Sequence, residues 1–183
     1  MNANKATDRH LRRFFSGHVV TTRQWKPGPA KDALPNLHVL EIAPGRRLTR
    51  WTFVTVGAWE ANPAHPLEFL VIGDSARPAY VELLTMVAFY ACEHNLGLGH
   101  TIPIGQPLIE GSACEHVYLS LPYTYGPELQ VVRAKPKDHH ILWLFPITSS
   151  EKNLLLRSGM DALEDRLEAQ KVEYWSPFRA SVA

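Results

Sequence analysis

Seven short runs rich in Val, Ile, Leu, Phe, Thr and Trp mark this chain, three before and four after a helix that opens at Pro78, and this order limits what it can fold into. The first three occupy residues 37–43, 50–57 and 67–73, separated by Pro44-Gly45 and by a turn over 62–66. Spacing that short predicts antiparallel hairpins. Pro78 fits the first turn of a helix, and Tyr80, Leu83, Leu84, Val87 and Ala91 then recur every three or four residues toward Asn95, with Gly97 as the stop. Four more strands are expected at 100–104, 115–121, 129–134 and 140–146. Thr148-Ser149-Ser150-Glu151 has the form of a capping box, with Leu154, Leu155, Met160, Leu163 and Leu167 continuing an apolar stripe to Gln170. Gly159 should bend or break that helix. Strands, helix, strands, helix define an α+β class: a mixed, largely antiparallel sheet flanked by two main helices.

The edges carry weaker signals. Leu11, Phe14 and Phe15 predict a short N-terminal helix over 7–17 with Arg9, Arg12 and Arg13 on its wet face. Residues 25–35 hold Pro27, Gly28, Pro29 and Pro35 and read as a surface loop. The expectation is one domain over 1–183, in which the N-terminal helix and Pro-rich loop fill 1–36, the core 37–170 and a tail 171–183.

Composition bears on partners. Among 183 residues, 19 basic and 18 acidic side chains leave a net charge of +1, so bulk electrostatics do not draw this chain to a polyanion, and no nucleic-acid partner is expected. Cys92 and Cys114 allow at most one disulfide, the first residues read MNANKATDRHLRRFF with no apolar leader, and the longest apolar runs fall far short of a bilayer span. A cytoplasmic protein without membrane contact is the expectation.

Candidate chemistry falls away on inspection. Gly73-Asp74-Ser75 is similar to the nucleophile block of GDS-type esterases, yet none of the late aspartates, Asp138, Asp161 and Asp165, has the Asp-x-x-His partner such an enzyme needs. The block reads better as a turn feeding Pro78. Cys92-Glu93-His94 and Cys114-Glu115-His116 repeat a Cys-x-His pattern, but on a helix positions i and i+2 point about 200° apart. Only Cys114 and His116, on a strand, would share a face, and no metal is expected. His139 and His140 should face opposite ways, one packed and one wet. No phosphate loop, GxGxxG or HExxH is present, so no catalytic residue, cofactor or metal is assigned.

The block Leu142-Trp143-Leu144-Phe145-Pro146-Ile147-Thr148, with Glu151 and then Gly159-Met160-Asp161-Ala162-Leu163-Glu164, resembles the closing signature of the Suppressor of fused (SUFU) family. Gly99-His100-Thr101-Ile102-Pro103-Ile104-Gly105, Gln106-Pro107 and Leu119-Ser120-Leu121-Pro122-Tyr123 are similar to its preceding strands, and the likeness spans about 37–167. It implies a non-enzymatic protein-binding role. Eukaryotic members hold zinc-finger transcription factors, whereas bacterial single-domain members are associated with polymorphic toxin systems as immunity proteins. Without the second domain of the eukaryotic form, this chain fits the bacterial type, and its implied partner is a protein toxin. A regulatory or scaffold module binding an endogenous protein is the alternative, and an esterase using Ser75 the third reading.

The resemblance supplies no catalytic set, so interface candidates come from chemistry. Trp59, Tyr123 and Tyr125 are aromatic residues in turn-rich stretches. Pro107 and Glu128 lie in the loop candidates 107–111 and 122–128, and His100 precedes a strand. Trp51 and Trp143 sit inside strand patterns and are expected in the core.

Overall fold

The β-branched runs pair as their spacing predicts. In a computed structural model that describes residues 3–45 and 48–183, β1 (Val20–Arg23), β2 (His38–Ile42), β3 (Trp51–Val56) and β4 (Leu67–Gly73) form an antiparallel meander. β4 then pairs in parallel with β8 (His139–Thr148), through Leu67↔His140 to Leu70↔Trp143. Parallel neighbours need a crossover, and the long connection between them includes α3 (Pro78–Tyr90). Beyond β8 come β6 (Cys114–Ser120) and the edge strand β5 (Thr101–Pro103), both antiparallel, giving the order β1-β2-β3-β4-β8-β6-β5. A two-residue β7 (Val131–Val132) pairs with the start of β8.

Side chains alternate across this sheet and bury both faces. Phe53, Phe69, Val71, Leu142 and Leu144 pack under α3, which contributes Leu83, Leu84 and Val87. On the other face Val54, Leu70, Ile72, Ile141, Trp143 and Phe145 meet α1 (Ala3–Phe14) through Leu11 and α5 (Ser149–Ala169) through Leu154, Leu155 and Leu163. Gly73 lies where a Cβ would collide with the Tyr80 ring, so α3 docks closely on the end of β4. This close approach explains the glycine of the Gly73-Asp74-Ser75 turn.

β3 and β4 stop pairing after Val54 and Leu70, and side chains replace the ladder. Thr55 Oγ1 accepts the Phe69 N–H at 2.8 Å and donates to Glu68 Oε2 at 2.6 Å. Glu68, fully buried, also accepts the N–H groups of Gly57 and Ala58 at 2.9 and 3.1 Å, at the start of a 3-10 turn over Ala58–Ala61. Its removal from water pushes the carboxyl up to about 8, against the pull of those hydrogen bonds.

The capping box at the start of α5 is formed: Thr148 accepts from the Glu151 N–H, and the Glu151 side chain accepts from the Thr148 N–H. Glu151 does more than cap. Arg179 donates to both its oxygens at 2.6 and 2.7 Å and to the Pro146 carbonyl at 2.8 Å, while the Val182 N–H donates to Oε1 at 3.0 Å. Both charged side chains are buried. The expected tail over 171–183 is held by this internal ion pair at Arg179, with Val182 in the core.

Gly159 has φ 86° and ψ 177°, and helical geometry breaks there, as its sequence position predicts. A side chain is strained in that region whatever space surrounds it. Gly159→Ala is expected to cost about 1–3 kcal/mol in chemical denaturation. An unchanged midpoint would show that the break does not depend on glycine.

Other expectations are corrected at the margins. Residues 25–35 are not only loop, because Pro29 starts a short helix, α2 (Pro29–Ala33), at the position proline tolerates best. The strand expected over 129–134 is a helical turn, α4 (Pro127–Gln130), followed by β7, since Pro127 again opens a helix and the ladder holds for only two residues. α3 ends at Tyr90 rather than near Asn95, and α1 covers 3–14 rather than 7–17, burying Ala3, Ala6 and Thr7 as well as Leu11. Leu11 and Phe15, within the N-terminal segment 1–36, are core residues.

Candidate interaction groove

The break at Gly159 leaves the second half of α5, residues 160–169, beside the ends of β6 and β8, with a groove of about 560 Å³ between helix and sheet. Tyr118, Trp143 and Phe145 line it from the sheet and Glu164 and Glu168 from the helix. Tyr123, 58% exposed, lines it from a 3-10 turn (Tyr123–Tyr125), and Tyr174 from the chain beyond α5, edge-to-face on Trp143 at 5.5 Å between ring centroids.

Polar groups are few here and closely placed. Glu164 Oε1 accepts from Tyr118 Oη at 2.9 Å and from Ser120 Oγ at 3.4 Å. Burial and the neighbouring Glu164 carboxylate push the Tyr118 hydroxyl well above its ordinary range, so it stays a donor. Trp143 is 6% exposed, and its Nε1–H finds no acceptor among the described residues. Buried N–H groups are nearly always paired, and an exception asks for an explanation.

The six candidate residues do not converge. Tyr123 lies in the groove. Tyr125, two residues on, turns inward: its hydroxyl makes a short hydrogen bond to Thr52 and its ring meets Phe15 edge-to-face at 5.7 Å. The surface position expected for Tyr125 is thus corrected to a place against the core, because the turn that exposes one tyrosine buries the next. Tyr125→Phe is expected to lose about 1 kcal/mol in urea unfolding, the typical net worth of one hydrogen bond, and to leave the groove intact. Trp59 is half-buried, stacked on His139 at 5.0 Å with its Nε1–H donated to Asn4 Oδ1, so it fastens α1 to the sheet. Glu128 is exposed in a second cleft of about 710 Å³, lined also by Arg9, Arg13 and Arg133. His100 and Pro107 are exposed at the β5 end of the sheet, away from the aromatic groove.

The remaining motifs resolve structurally. Ser75 Oγ donates to Asp74 Oδ1 at 3.0 Å, and Asp74 also receives Arg77 and, at 2.9 Å, the Tyr80 hydroxyl. Burial would raise the Asp74 carboxyl, but these donors outweigh it and hold it below its ordinary value. A serine bonded to a carboxylate that serves as a turn anchor lacks the imidazole that would take its proton. A register shift between Cys114 and His116 interrupts the alternation that would set the two side chains on one face. Among the described residues no group of three His, Cys, Asp or Glu stands together to hold a metal. His139 is buried and His140 exposed, as adjacent strand positions predict.

Trp143 reads in the sequence as core, which its burial supports; its second role as a groove residue is invisible until α5 bends away. Glu164 and Glu168 are visible as a pair four residues apart on a helix, but what they face is not. No helix among the described residues is long and apolar enough to cross a membrane.

A mixed sheet covered on both faces, with an aromatic groove at its end, defines an α+β fold that similar proteins share. The structure of a Suppressor of fused homologue from Neisseria gonorrhoeae superposes with a TM-score of 0.87 at 29% identity, over 100% of this chain and 98% of that one. A Sufu–Fu complex structure shares the fold at TM-score 0.72 and 15% identity, over 98% and 92% of the two chains. Drosophila Suppressor of Fused does so at 0.73 and 13%, over 98% of this chain and 51% of its own. No curated protein sequence matches. The family model for Suppressor of fused protein matches residues 34–180, and the chain belongs to that family.

Proposed function

We propose that this chain is a non-enzymatic protein-binding member of the Suppressor of fused family that neutralises a protein toxin, acting as an immunity protein in the cytoplasm. The observation that carries the binding role is family membership over residues 34–180, joined to a structural relative crystallised as a Sufu–Fu complex. The immunity role is supported by correspondence with a bacterial homologue over 98% of that chain. Neutralisation by binding requires a complementary surface and no reacting group, in keeping with a Ser75 that serves a turn. The exposed Tyr123 is the interface candidate this reading favours, with His100, Pro107 and Glu128 on separate surfaces.

Co-purification with the product of a neighbouring gene, followed by growth rescue when that product is expressed, tests the reading. A stable complex and restored growth are expected. Failure of both would overturn immunity, and ester hydrolysis abolished by Ser75→Ala would overturn the non-enzymatic role. The Sufu–Fu complex favours a second reading, regulation of an endogenous protein, which predicts a complex without rescue.

A further inference from the structure

We infer that the aromatic groove seats a basic side chain, arginine above all, carried by an extended segment of the protein partner; this rests on the protein-binding reading above. Three independent observations converge on it. The first is charge. Residues 160–169 carry Asp161, Glu164, Asp165 and Glu168 against one base, Arg166, and Arg166 is turned toward the Val182 carbonyl at 3.3 Å. Glu164 and Glu168, one helical turn apart, both line the groove, where Lys171 supplies the opposing charge. Glu164 is already held by Tyr118, so its carboxylate is positioned before any ligand arrives.

The second is the character of the facing surface. Tyr123 is exposed and Tyr174 half-buried at the groove, over a floor formed by the buried Tyr118, Trp143 and Phe145. The faces of such rings carry negative potential and attract cations. A guanidinium meets both features at once, lying flat on a ring and presenting two N–H groups to a carboxylate, which the compact ammonium of lysine does less well. The molecule uses this chemistry nearby: the Arg50 guanidinium lies 3.8 Å from the Trp175 ring centroid, next in sequence to Tyr174.

The third is the Trp143 indole, nine-tenths buried among the lining residues, whose Nε1–H finds no acceptor among the described residues. A side chain alone would leave that donor unanswered. The occupant is a segment of a protein in keeping with the protein-binding reading, and its backbone brings carbonyl acceptors that a free cation lacks. Tyr123, the most exposed of the rings, lines the groove and is open to a bound group.

The probes are acetyl-Gly-Ser-Arg-Ser-Gly-amide and the same peptide with citrulline, which keeps the shape of arginine and removes its charge. Both are titrated into the full-length 15N-labelled protein, with the Trp143 indole cross-peak assigned from Trp143→Phe. The arginine peptide is expected to shift that cross-peak and to bind about tenfold more tightly than the citrulline peptide. Glu164→Gln with Glu168→Gln should remove the difference, and Tyr123→Ala should weaken both peptides while the remaining cross-peaks stay dispersed. Equal binding of the two peptides, no shift at Trp143, or arginine binding unaffected by the double substitution would each overturn the inference. The immunity reading fails separately. Rescue that survives in the double variant, without arginine preference, removes the inference and leaves immunity standing; arginine-selective binding without rescue does the reverse.

Discussion

Arg179→Ala is expected to lower the unfolding free energy by about 3–5 kcal/mol, the cost of stranding one member of a buried ion pair. Glu151 would keep the N–H groups of Thr148 and Val182 but lose two charged donors, and the Pro146 carbonyl would lose its partner too. Because 1 kcal/mol moves the midpoint of a chain this size by about 2–4 °C, thermal unfolding should begin to fail roughly 6–20 °C lower. Burial alone would raise the Glu151 carboxyl, but Arg179 and the backbone donors outweigh it and hold it below its ordinary 4.5. The stability it contributes is therefore present above pH 4.5 and disappears as the pH falls through the lowered value. Arg179→Met combined with Glu151→Gln, which keeps a side chain able to close the capping box, should recover part of the loss. A loss under about 1 kcal/mol for Arg179→Ala would show that the tail is not held through this pair.

Glu68 predicts the opposite pH dependence. Its carboxyl is raised from 4.5 to about 8, so the folded chain keeps a proton that the unfolded chain has released. Stability is highest below pH 4.5 and falls as the pH climbs toward about 8, where the slope ends. Each unit within that window should cost about 1.4 kcal/mol, roughly 5 kcal/mol across it. Glu68→Gln, which cannot ionise, should flatten the profile, as measured by urea midpoints at intervals from pH 5 to pH 8. An unchanged slope in that variant would show that another group sets it. Acting together, Glu151 and Glu68 place maximum stability in mildly acidic solution.

The long strands and the two main helices are legible because each signals locally: β4 carries the apolar run Phe69 to Ile72, and Pro78 and Thr148 punctuate the helices where sterics and capping favour them. β1 is not legible. Val20–Arg23 is an edge strand with no buried residue, so no core pattern writes itself into four half-exposed positions. The same reasoning accounts for 129–134, where Leu129 and Val132 are both fully buried yet one sits on a helical turn and the other on a strand. For the groove, Glu164, Glu168 and Tyr123 stand in plain view in the sequence. Their neighbourhood does not, because it depends on the direction α5 takes after Gly159. Nor does any local rule connect Glu151 with Arg179, 28 residues apart.

The parallel pairing of β4 with β8 bears on how the chain is made. Leu67 and its partner His140 are 73 residues apart, whereas β1 to β4 are neighbours that can zip up as they leave the ribosome. At about 5–20 residues per second, the open edge of β4 waits roughly 4–15 s for β8 to be synthesised. During that wait Leu67, Phe69 and Leu70 stand on an unpaired edge, a surface prone to joining another nascent chain. Slower translation over residues 74–139 is then expected to lower the yield of folded protein.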